Sequence, residues 1–189
     1  MKMTGFVDFL STLGYLLLVA DVYAAYVLFT LIRGGSITRE AGAVPLSLGL
    51  ASMGLGLAMD VDWPLPGPFN FIFGDPFLLF AVLLIAAGLE ILAFGNLNYI
   101  EGLAVPVGLI AILYGIIIAH NSLDPIYVWG MFMLQGLSGI FAGPAFANSK
   151  KRYLLWIALL LIVLAALLTA AVCVETSFEH VGEFAKYYP

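Results

Sequence analysis

Six long apolar runs, separated by short polar interruptions, make up nearly the whole chain. They cover residues 5–32, 41–59, 76–95, 102–120, 126–147 and 153–174. Each holds about 19 residues or more, which as a helix crosses a hydrocarbon core about 30 Å thick. The interruptions are RGGSITRE, DVDWPLPGPFNFIFGDP, GNLNYIEG, HNSLDP and NSKKR, all rich in turn formers or charge. Backbone groups in lipid must find partners within their own segment, so the runs predict helices. The expected fold class is all-α, a polytopic membrane bundle of six transmembrane helices. The first run follows Lys2 but is too long for the core of a secretory signal and lacks a small-residue cleavage site. A retained first helix is therefore expected.

Two stretches fall outside the spans. Residues 60–75 predict an external loop stiffened by Pro64, Pro66 and Pro68. Its Trp63, Phe69, Phe71 and Phe73 suit either a headgroup-level anchor or a flap folded over the bundle's outer mouth. Residues 175–189 predict an external amphipathic tail. Thr176 and Glu179 have the spacing of a capping box, and Phe178, Val181, Phe184 and Tyr188 recur at helical spacing. That pattern predicts a short interfacial helix.

Composition agrees with a bilayer as the chain's main partner. Of 189 residues, 63% are hydrophobic and 10% charged, and mean hydropathy is +1.08, whereas soluble domains are about 25% charged. Cys173 stands alone, which excludes an intrachain disulfide and an all-cysteine metal cage. Seven Lys and Arg, in no basic block, exclude nucleic acid as a partner. Their distribution sets an orientation: Arg33, Arg39, Lys150, Lys151 and Arg152 fall in odd-numbered loops, against Lys2 and Lys186 on the other side. The odd loops are expected to be cytoplasmic and both termini extracytoplasmic.

The middle of the chain repeats. AVPLSLGLASMGLGLAM (43–59) aligns with AVPVGLIAILYGIIIAH (104–120), pairing Pro45 with Pro106 and Gly54 with Gly115. The following external loops end in Asp75-Pro76 and Asp124-Pro125. Spans 2–3 and 4–5 are thus expected to be duplicated hairpins related by an axis along the membrane normal. Small side chains at Ser47, Ala51, Gly54 and Ala58, and at Gly108, Gly115 and Ala119, are expected to form close-packing stripes. Such faces also suit a homo-oligomer or a larger membrane complex.

WPLPGPFN followed by FGDP resembles the signature of an uncharacterised bacterial and archaeal membrane family, the domain-of-unknown-function family numbered 981. The resemblance implies a multi-span helical protein of a prokaryotic cell membrane. It carries over no catalytic residue.

Candidate chemistry lies in two places. Asp21 (span 1), Glu90 (span 3) and Gln135 (span 5) are polar groups within apolar runs, with no basic residue in any span to neutralise the acids. Intramembrane ionisable groups are functional candidates, and these three are expected to form a polar path. The second place is the outer mouth, where Met59, Asp60, Asp62, His120 and His180 are candidate ligands. His with Asp suits a divalent metal, and His with Met or His suits haem iron. Asp75 and Asp124 are expected to cap spans 3 and 5. No complete catalytic motif occurs, which weighs against an enzyme. Three functions follow: an ion- or solute-handling protein, favoured here; an accessory or assembly subunit of a larger membrane complex, respiratory or otherwise; and a haem-, quinone- or metal-bearing redox protein.

Overall fold

The computed structural model describes residues 9–62, 64–65 and 68–187, apart from the side chains of Phe9, Ser149, His180 and residues 183–187. Six helices carry the fold: α1 (Phe9–Ile32), α2 (Ala43–Asp62), α3 (Phe69–Phe94), α4 (Glu101–His120), α5 (Ile126–Ala147) and α6 (Leu154–Tyr187). Short 3-10 turns at Arg39–Gly42 and Ser149–Lys151 precede α2 and α6. Among the described residues there is no strand. All six helices are long and apolar enough to cross a membrane, so the chain is a multi-pass membrane protein.

Helices adjacent in sequence are adjacent in space, and α6 returns to pack against α1, so the six close into a ring. The α3–α4 and α1–α2 seams are thinner than those within the hairpins α2–α3 and α4–α5. At one end Arg152 Nη2 donates to Leu31 O at 2.6 Å, placing a cation on the C-terminal carbonyls of α1. Gly95, in the left-handed region at φ 69°, ends α3 there and lies beside Ile37 and Arg39. At the other end Tyr15 and Ser177 join α1 to α6 at 2.6 Å, and Tyr127 donates to Glu175.

Within each hairpin the backbones touch. A Cβ on Gly88 would lie 2.6 Å from Leu46 N, and one on Gly49 would lie 2.8 Å from Ile85 N. In the second hairpin a Cβ on Gly108 would lie 2.5 Å from Gly136 O, and one on Gly115 would lie 3.0 Å from Trp129 O. Glycine permits this approach because it carries no side chain, and packing is what holds membrane helices together. The stripe expected on α2 is corrected: Ser47, Ala51 and Gly54 are exposed, and nothing lies within 4 Å of a Cβ placed on Gly54. The buried face is Gly42, Pro45, Gly49, Ser52, Gly56 and Met59. Gly54 and Gly115, paired by the sequence alignment, therefore occupy different environments.

Three expected boundaries also shift. α2 runs on to Asp62 and α3 begins at Phe69, so most of the stretch expected as a loop over 60–75 is helix. Asp75 lies inside α3 and is not its N-cap, while Pro76 sits two turns in. Asp124 makes no side-chain cap for α5, whose N-cap position is Pro125. In the tail, Thr176 Oγ1 and Ser177 Oγ donate back to the carbonyls of Val172 and Cys173, so α6 continues where a separate helix was expected to start. His180 lies in that helix, but its side chain is outside the described residues.

Candidate functional site

The interior of the ring is plugged towards the end where α1 begins and α6 finishes. Leu13, Met59, Ile72, Phe73, Ile118 and Phe132 form one apolar cluster there, with Leu65 tucked against it. Asn70, fully buried, holds Leu65 in place: its Oδ1 accepts the Leu65 N–H at 2.8 Å and its Nδ2 donates to Leu65 O. Leu65 is thus tied to the first turn of α3 by an amide that matches both of its backbone groups. At the opposite end Val27, Ile91, Leu97 and Ile100 form a second plug.

Between the plugs lies a cavity of about 140 Å³. Every helix reaches it, through Ala20, Pro45, Phe80, Ala104, Gln135 and Ile162 in chain order. A smaller space of about 40 Å³ shares the Phe80, Leu83 and Gln135 walls and extends towards Leu17 and Phe132. The lining is apolar except for Tyr23, Gln135 and Ser138.

Gln135 connects this cavity to Asp21, whose side chain is fully buried. Gln135 Nε2 lies 2.9 Å and 3.2 Å from the two Asp21 oxygens. Thr169 Oγ1 lies 2.9 Å from Asp21 Oδ2 and 2.9 Å from its own i−4 carbonyl, Ala165 O. One carboxyl group therefore ties α1 to α5 and α6. A hydroxyl has a single proton to donate. When Asp21 is ionised, Thr169 donates to it. When Asp21 is protonated, Asp21 donates to Thr169 and Thr169 donates to Ala165. Both states are fully hydrogen-bonded by groups already in place. Cys173 on α6, also buried, lies within electrostatic reach of Asp21.

Of the expected polar path, the structure brings together Asp21 and Gln135 and leaves Glu90 apart. Glu90 Oε1 accepts the Tyr99 N–H at 2.8 Å, which makes it a clamp on the α3–α4 connection. Sequence reasoning missed Thr169, although a single threonine in the apolar run of span 6 was a signal for it.

The outer-mouth candidates separate as well. Met59 is fully buried in the apolar plug, whereas Asp62 and His120 are exposed. Asp60, half-buried, sits against Gly74, where a Cβ would collide with its carboxylate. Asp60 Oδ1 has no hydrogen-bond partner among the described residues. Asp75 Oδ2 accepts the Tyr114 O–H at 2.8 Å, and Asp60 lies within electrostatic reach of both Asp75 and Tyr114. The FGDP motif thus supplies a glycine that admits one carboxylate and an aspartate that bonds across to α4. At the rim, Asp124 lies near Glu175 and Glu179; burial first, and then those two charges, hold its carboxyl above its ordinary value. No group of three or more His, Cys, Asp or Glu able to hold a metal ion occurs among the described residues.

A family model described as "Protein of unknown function (DUF981)" matches residues 3–183. No curated protein and no solved structure matches the chain.

Proposed function

Because the chain belongs to that family of unknown function, we propose from the geometry that it handles a small solute or ion within the membrane, with Asp21 as its proton-exchanging group. The observation that carries this is the Asp21–Gln135–Thr169 network beside a cavity that every helix lines. An aspartate at the centre of a span costs about 2.5–3.5 kcal/mol on insertion scales. A residue that served only to join helices could be a neutral amide, without that cost. The network offers complete bonding to both protonation states and connects through one amide to the space where a solute would sit. Proton exchange at Asp21 would turn the Thr169 hydroxyl and change the pull on the Gln135 amide, which is a route from proton to solute.

Two measurements on the purified protein test this. In vesicles with a trapped pH-sensitive dye and an imposed pH gradient, the wild type should pass protons at least ten times faster than Asp21→Asn. In infrared difference spectra across a pH step, a protonated-carboxyl band should disappear in the same variant. Equal proton entry into wild-type, variant and protein-free vesicles would overturn the proposal.

A further inference from the structure

The walls of the central cavity carry little that a polar or charged occupant needs. Among the described residues no charged side chain lines it, and its polar side chains are Tyr23, Gln135 and Ser138. All three are engaged elsewhere. Ser138 Oγ donates to Ala158 O at 3.0 Å, and the Tyr23 hydroxyl donates to Ala41 O at 2.7 Å. Gln135 Nε2 donates to Asp21 at 2.9 Å. The Gln135 amide keeps a second N–H and a carbonyl oxygen, so it does not select a ligand by the sense of its hydrogen bond. What selects is the rest of the wall, which is aliphatic and aromatic on every helix.

The way in has the same character. The smaller space of about 40 Å³ is bounded by Leu79 and Phe80 of α3 and by Ile110 and Ala111 of α4, so it follows the thin α3–α4 seam. Leu79, Ile110 and Ala111 are half-buried, which brings this cleft to the flank of the bundle, where a membrane-spanning chain faces hydrocarbon. Among the described residues Gln135 is the single polar side chain along it. An ion entering here would give up its hydration shell and meet no opposite charge. A neutral molecule with several polar groups would leave most of them buried without a partner. A hydrocarbon body loses nothing on leaving lipid, and it supplies contact atoms to a lining that an empty void deprives of them. The volume sets its size: a cavity of about 150 Å³ lined by apolar side chains holds benzene, and this one is about 140 Å³.

We infer that this cavity is a binding site for an uncharged, mostly hydrocarbon molecule about the size of benzene. Its body lies against Phe80, Leu83 and Ala142. The inference rests on the solute-handling reading given above and deepens it by naming the class of solute. Asp21 stays behind Gln135 and outside the cavity wall, so the occupant does not touch the carboxyl group.

The test follows four probes by fluorine NMR of the full chain in mild detergent, with protein-free micelles as the background. They are fluorobenzene, 4-fluorobenzoate, 4-fluorobenzylammonium and 5-fluorouracil, the last uncharged but rich in hydrogen-bonding groups. Fluorobenzene should bind saturably and about ten times more tightly than any other probe, because the others bring polar or charged groups that the wall does not match. Ala142→Phe on α5 and Ala87→Phe on α3 each fill the space and should abolish the saturable binding. Either ion or 5-fluorouracil binding as tightly as fluorobenzene would overturn the inference. So would no saturable binding of fluorobenzene, or saturable binding that survives both fillings. The ranking of the four probes on the wild type keeps the test decisive if neither variant folds. Proton flux without fluorobenzene binding would remove this inference and leave the function proposed above; fluorobenzene binding without proton flux would do the reverse.

Discussion

Replacing Asn70 by alanine should destabilise the protein at the end of the bundle where α3 begins. The side chain is fully buried and makes two hydrogen bonds to one residue, Leu65. Two neutral hydrogen bonds at about 0.5–1.5 kcal/mol net each contribute about 2 kcal/mol. Alanine also strands the Leu65 N–H and C=O, and each such group kept from water costs about 1–3 kcal/mol. Leu65 is half-buried; with one of the two groups regaining water, the expected total loss is about 3–5 kcal/mol. Reversible unfolding by SDS in mixed micelles, followed by the loss of helical circular dichroism, reads this directly. Asn70→Asp keeps the acceptor for the Leu65 N–H but turns an oxygen towards the Leu65 carbonyl, so it should be no better than alanine at neutral pH. A loss below about 0.5 kcal/mol for the alanine variant, under one ordinary hydrogen bond, would refute the idea that this amide holds the loop.

Three further expectations are independent of that one. Gly136→Ala should destabilise, because its Cβ would lie 3.1 Å from Ile112 N and closer still to the Gly108 carbonyl, whereas Gly54→Ala should gain about 0.5–1 kcal/mol from helix propensity alone; SDS midpoints of the two variants that move in the same direction would contradict the packing described. The folded value of Asp124 is raised, so the unfolded chain gives up this proton first and the folded protein loses stability as pH rises from the ordinary carboxylate range through the raised value. Asp124→Asn should therefore raise the SDS midpoint near neutral pH and flatten its pH dependence, and an unchanged slope would count against it. In a Cys173→Ala background, Ser36→Cys should be protected from an impermeant thiol reagent in intact cells while Asn121→Cys is labelled; the opposite pattern would reverse the orientation drawn from Lys and Arg.

The six spans, and the presence of a polar centre, could be read from the sequence because they depend on local quantities. A run's length and hydropathy decide whether it crosses a bilayer, whatever surrounds it. An aspartate in such a run needs partners, so Asp21 and Gln135 stood out before any packing was known. The N-terminal edge of α3 did not, because Asp75-Pro76 looks like a helix start; only the fold shows Pro68 beginning the helix, with Ile72 N bonded to Pro68 O at 2.9 Å. The packing face of α2 was equally hidden. Ser47, Ala51, Gly54 and Ala58 share the spacing of the buried face, and in lipid a helix is apolar on every side, so hydrophobicity does not separate the face that meets protein from the face that meets lipid. Glu90 was grouped with Asp21 by type and presence in a span, yet neither property sets the direction in which a side chain leaves its helix. That direction, the closure of α6 onto α1, and the meeting of Asp21 with Thr169 across 148 positions of chain were decided by tertiary structure alone. The physical reason is that insertion into a bilayer is scored residue by residue along one chain segment, while rotation about a helix axis is scored only by the shape and hydrogen bonds of the neighbours it meets.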